Sequence, residues 1–141
     1  MAEKSTGDLV RELMADSDLD AYLRENCDHF ESRTLTELLA GLYEKKSLSK
    51  AALAREAGMS EVYLHQVFSG RRRPSRDRLL CLCVGLGATL EECQQLLKQA
   101  GYAPLYPKNR RDVIISFCLL HDYSLHQIND KLFDENEQSL S

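Results

Sequence analysis

Arg71, Arg72 and Arg73 stand in a row before Pro74, in a chain of 141 residues whose formal net charge is −4. Guanidinium groups are planar, fork-shaped donors that suit phosphate oxygens. Such a run is chemistry for a polyanion, unless it is only a solvated cluster. The charge around it is uneven. Residues 1–43 carry 4 basic and 10 acidic side chains (net −6), residues 44–80 carry 9 and 4 (net +5), and residues 81–141 carry 5 and 8 (net −3). A polyanion would meet the middle segment, while the acidic flanks would suppress indiscriminate binding.

Other chemistries find little support. The five cysteines (Cys27, Cys81, Cys83, Cys93, Cys118) are odd in number and contain no Cys-x-x-Cys pair, so neither a disulfide framework nor a zinc site is expected. They read as small buried hydrophobes in a reducing compartment. The four histidines show no metal-ligand spacing. No nucleophile–base pair, paired carboxylates or Gly-rich phosphate loop stands out. The expectation is no enzyme, no metal and no cofactor. Nor does any apolar run approach the roughly 20 residues of a membrane span. The first residues lack the apolar core of a secretory signal, and a cytoplasmic location is expected.

Helices must position the basic segment. Leu9, Leu13 and Met14 share one face over residues 8–15. Ser17 is a candidate cap for a helix carrying Leu19, Tyr22, Leu23 and Phe30. Thr34-x-x-Glu37, Thr89-x-x-Glu92 and Ser124-x-x-Gln127 read as capping boxes. Ser49, Ser60 and Pro74-Ser75 open further helices; Gly58, Gly70 and Gly87 close them. The stretch 101–112, with two prolines, reads as a linker. After it come an almost wholly apolar helix, 112–120, and an amphipathic one with Leu125, Ile128, Leu132 and Phe133 inward. The polar tail from Asp134 is expected to fray.

Residues 49–68 give a helix, a short turn containing Gly58, and a second helix, the supersecondary unit that reads DNA. Ala54 suits the point where two helices touch. Gly58 supplies a positive φ, and Leu64 plugs the interhelical angle. Leu53, Ala57, Met59 and Val67 fill the remaining inward slots. With Gly70-Arg71-Arg72-Arg73-Pro74-Ser75, Leu86-Gly87 and Thr89-Leu90-Glu91-Glu92, the stretch 35–100 resembles the phage-repressor-like (XRE-type) helix-turn-helix family. The flanks resemble bacterial regulators of that type with extra helices on both sides. The resemblance implies an all-α fold, a five-helix phage-repressor-like DNA-binding domain with additional flanking helices. The boundaries expected are an acidic extension (1–33), the helix-turn-helix domain (34–101) and a C-terminal helical pair (102–141).

By that resemblance the second helix of the motif lies in the major groove, N-terminal end inward. Ser60, Glu61, Val62 and Gln66 would then read bases: Gln66 as a bidentate amide for adenine, Val62 on a thymine methyl, Glu61 accepting from a cytosine amino group. Ser49, Lys50, Tyr63, His65, Ser69, Arg71, Arg72 and Arg73 would contact the backbone. Arg76 and Arg78 are weaker candidates and are expected to pair with Asp77 or Glu92.

The function implied is a sequence-specific double-stranded DNA-binding transcriptional regulator that acts by operator occupancy, as a homodimer. The rival is a protein-interaction adaptor of the same fold, antitoxin-like or a kinase partner, working through the acidic N-terminal helices. Glu61 and the negative total charge favour the rival; the arginine run opposes it.

Overall fold

The computed structural model describes residues 5–15, 18–25 and 34–141. Among these are nine α-helices and no strand: α1 (Thr6–Ala15), α2 (Leu19–Glu25), α3 (Leu35–Glu44), α4 (Lys50–Glu56), α5 (Glu61–Phe68), α6 (Arg76–Leu86), α7 (Leu90–Gln99), α8 (Arg110–Leu120) and α9 (Leu125–Asp134). The chain divides into two compact units, Met1–Arg33 and Thr34–Ser141.

In the first unit, α1 buries no residue, and Leu13 and Met14 of its apolar face are exposed. Tyr22 of α2 is buried and donates its hydroxyl to the Leu9 carbonyl (3.1 Å). Ser17, Cys27 and Phe30 lie outside the described residues. The cap of α2 is instead Asp18, whose carboxylate accepts from the Ala21 amide (3.2 Å).

The second unit is built from capped helices. Ser49, Ser60, Ser75, Thr89 and Ser124 each accept an amide of the first turn of their own helix, a contact worth about 1 kcal/mol apiece. Thr89 with Glu92 and Ser124 with Gln127 form complete capping boxes. Thr34 forms only half of one: its hydroxyl accepts from the Glu37 amide and also bonds Thr36, but the Glu37 carboxylate does not accept from the Thr34 amide in return.

Helix α4 packs on both α5 and α6. Small residues permit the close approach. Ala54 and Ala57 are buried, and a Cβ at Gly85 of α6 would lie 3.2 Å from that of Ala57 and 3.0 Å from Leu53 Cδ1. Gly58 has φ +65°, and the Met59 amide returns to the Ala54 carbonyl (3.0 Å), closing α4 with a left-handed turn. Leu53, Leu64, Val67, Leu79, Leu82, Cys83 and Leu86 fill one core, as their spacing predicts.

The C-terminal helices share that core through Ile115, Cys118, Ile128 and Leu132. Cys81 of α6 is buried with them, 1% exposed. The stretch 101–109 is held at several points. Gln94 brackets Leu105 with both amide atoms (2.9 and 2.7 Å), and the Tyr102 hydroxyl donates to the Pro74 carbonyl (2.6 Å). Two adjacent pairs lock α6 to α8. Arg76 forks onto Asp112 (3.2 and 3.1 Å), and Arg111 forks onto Asp77 (3.0 and 3.1 Å). Arg76 therefore pairs with neither Asp77 nor Glu92, because its fork reaches across to the start of α8. Arg78 has no carboxylate partner among the described residues and lies on an aromatic ring.

Further expectations fail. Phe133 of α9, expected inward, is exposed, and α8 starts at Arg110, capped by Asn109, two residues before the expected start; its Val113, Phe117 and Leu120 are exposed. The tail does not fray. Arg110 donates to the Glu135 carbonyl (2.6 Å) and pairs with Glu135 and Glu137. Arg111 donates to the Gln138 and Ser139 carbonyls, Asn129 accepts from the Leu140 amide (2.8 Å), and Leu140 is buried. Its polar residues are partners for two arginines, which composition alone does not disclose.

Candidate nucleic-acid interface

Helix α5 is anchored by Leu64 and Val67, both essentially unexposed. That fixes its opposite face outward. Glu61, Val62 and His65 are exposed there, Val62 to 69%, and Gln66 is half-buried at the edge. Ser60 is spent as the N-cap, accepting from the Tyr63 amide (3.1 Å). The Glu61 carboxylate lies 3.5 Å from His65 Nε2, an ion pair when the imidazole is protonated.

Gln66 is held from two directions. Its carbonyl accepts from the Arg71 and Arg72 amides (2.9 and 3.2 Å), so the basic loop folds back on the end of α5. Its side-chain Oε1 accepts from Arg72 Nε (3.1 Å). The amide plane is thereby oriented, with its NH2 unengaged among the described residues and Oε1 able to accept once more. The Arg72 guanidinium also lies over the Tyr63 ring (5.7 Å), and Arg78 lies over the same ring (4.8 Å). Gln66, Arg72, Tyr63 and Arg78 form one continuous chain of contacts.

The arginine run does not act as a unit. The Arg71 side chain is exposed and has no hydrogen-bond or ionic partner among the described residues. Arg72 is tied to Gln66. Arg73 turns back to donate to the Ala100 carbonyl at the end of α7 and covers the Tyr102 ring (4.7 Å), which satisfies a helix-terminal acceptor. Lys50 also turns inward, its ammonium 3.4 Å from the Phe68 ring centroid and 4.2 Å from that of Tyr43. Burial there lowers its pKa from the ordinary lysine value. Ser49 caps α4, and Ser69 donates to the Gln66 carbonyl (3.1 Å). The exposed outer face of α5 and Arg71 thus stay together, while Lys50 is drawn onto aromatic rings and Arg73, though exposed, is tied to the end of α7. Sequence reasoning missed the orienting role of Arg72 and the open position of Arg78. Only the stretch Gly70-Arg71-Arg72, wrapping onto the helix end, hinted at the first.

Among the described residues no group of three or more His, Cys, Asp or Glu is placed to hold a metal ion. No helix there is long and apolar enough to cross a membrane.

A family model described as a helix-turn-helix domain matches residues 23–96, and so spans α3 to α6 and most of α7. The chain belongs to the helix-turn-helix domain family. No curated protein and no solved structure matches it. Helix-turn-helix domains are DNA-binding units that present their second helix to the groove. In this one the second helix is α5, with its caps at Ser60 and Ser69.

Proposed function

We propose that this helix-turn-helix protein is a sequence-specific double-stranded DNA-binding transcriptional regulator, acting by operator occupancy as a homodimer. The observation that carries the reading is the outward face of α5. Val62, Glu61 and His65 are exposed, and the Gln66 amide is oriented by Arg72 beside the unpartnered Arg71. Glu61, Val62 and Gln66 choose the site through base edges. Ser60 sets the helix end. Arg71, with Tyr63, His65, Ser49 and Ser69, positions the duplex, while Arg72 acts first on Gln66 and Lys50 would have to leave its rings to reach a phosphate. Selection from a random duplex library tests this. An enriched palindromic site is expected; a pool with no enrichment overturns it.

A second reading, the protein-interaction adaptor, is favoured by α1, which leaves Val10, Leu13 and Met14 exposed on an otherwise acidic segment. A protein that enriches no duplex, and whose deletion of residues 1–33 abolishes capture of a protein partner, would follow that reading instead.

A further inference from the structure

The second unit has two open cavities rich in arginine, and they differ in how their charge is met. The larger, about 660 Å³, lies between the start of α8 and the stretch before it. Its arginines are all neutralised: Arg76 by Asp112, Arg110 by Glu135 and Glu137, Arg111 by Asp77. It is part of the scaffold. The smaller, about 470 Å³, lies where α4 turns into α5, lined by Arg55, Gly58, Ser60, Tyr63 and Arg78 among others. Here neither arginine has a carboxylate partner among the described residues. Both are exposed, and Arg78 is steadied on the Tyr63 ring. Two cations converge on one concavity with no anion to meet them. The same ring carries Arg72, which holds Gln66.

We propose that Arg55 and Arg78, with Tyr63 as platform, grip one backbone phosphate of the bound duplex at the flank of α5. The inference rests on the DNA-binding reading above and adds to it a contact outside the Arg71–Arg73 loop. A guanidinium stacked on an aromatic ring keeps its edge donors free, and its orientation is already set. The phosphate position is in turn coupled to base reading, since Arg78, Tyr63, Arg72 and Gln66 touch in sequence. A duplex displaced from the grip would be displaced from the Gln66 amide as well.

The test is duplex binding by the full chain, across a salt series, on the site that selection yields. Each phosphate contact contributes about 0.9 to the slope of log affinity against log salt. The double variant Arg55→Gln with Arg78→Gln should flatten the slope by about that amount and weaken binding about eightfold at 0.1 M salt, the loss that slope implies over one decade. Lys98→Gln, which removes one charge from the exposed side of α7, should change neither. Replacing single phosphates by neutral methylphosphonates should reveal one position that weakens the unaltered protein and has no further effect on the double variant. Both side chains are exposed, so helix content should be unchanged. If the unaltered protein binds its site but the double variant keeps the full slope, or every methylphosphonate position affects both proteins alike, the grip is wrong and the DNA-binding reading stands. If the unaltered protein binds no duplex, both fall.

Discussion

Asp112 is the buried charged residue among those described, and it is fully engaged. It accepts a fork from Arg76 and a bond from the Tyr106 amide (3.0 Å). Removing one member of a buried pair strands the other, so Asp112→Ala should cost about 3 kcal/mol. Urea unfolding would read this as a lower midpoint with an unchanged slope; an unmoved midpoint would show that solvent replaces the carboxylate at no cost. The pair was not legible in the sequence because its partners are far apart in the chain and charge alone does not choose between them. Asp77 and Glu92 were nearer to Arg76, yet the first takes Arg111 and the second completes a cap. By contrast Ala54, Gly58 and Leu64 were legible, because a tight helix–turn–helix leaves few side chains that fit. The cysteines were legible in type. Burial and the nearby Asp77 push the Cys81 thiol up to about 11, and Cys83 is raised by its contact with the Cys93 thiol and by burial. Thiolate is the reactive form. Cys81, Cys83, Cys93 and Cys118 are all buried and should resist a thiol reagent at neutral pH until denaturant is added; rapid modification of any of the four in the native protein would contradict the packing described.

Helix ends and helix faces were written locally, and the agreement of Ser49, Ser60, Thr89 and Ser124 with their caps follows from that. What local pattern does not carry is the destination of a polar segment. The run after Asp134 has no apolar periodicity, but it runs beside α9 and ends with Leu140 buried and its carbonyl 3.9 Å from Cys81 Sγ. Here the tail acts as a strap over α6, α8 and α9. Leu140→Ala should destabilise by roughly 2 kcal/mol, the lower end for a buried leucine because a chain end relaxes easily. Hydrogen exchange should show amides of α9 opening more often in that variant. If exchange and thermal midpoint are both unchanged, the strap holds nothing. The same geometry makes α9 sensitive to the turn it covers: a Cβ at Gly58 would sit 2.7 Å from Leu125 Cδ2. Gly58 is thus constrained by its positive φ and by α9 together, and only the first constraint was visible in the sequence.

At the scale of the molecule, the +5 segment 44–80 sits between acidic flanks, and its cations divide into bound and open ones. Arg73, Arg76 and Lys50 are used by the fold; Arg55, Arg71 and Arg78 remain open. Binding to a preferred duplex should weaken steeply with salt, and Gln66→Ala should cost about 1–3 kcal/mol on that duplex and little on random DNA. Equal losses on both would make Gln66 a positioning residue. Assembly is the remaining step. Val113, Phe117 and Leu120 follow one another at helical spacing on α8 and are 45%, 49% and 64% exposed, although Ile115, Cys118 and Leu119 of the same helix are packed inward on the core. Such a stripe, on the element that the Arg76–Asp112 and Arg111–Asp77 pairs hold firmly to the helix-turn-helix domain, suits a two-fold partner, because a rigid seam fixes the spacing of two half-sites. Phe117→Glu places a charge in the middle of the stripe and removes little from the core. Sedimentation should then change from dimer to monomer with helix content intact, and affinity for a palindromic site should fall towards that for a single half-site, since two linked half-sites bind far more tightly than one. A chain that sediments as a monomer before substitution, at concentrations well above those needed to bind DNA, would sink the dimer and leave the stripe as plain surface.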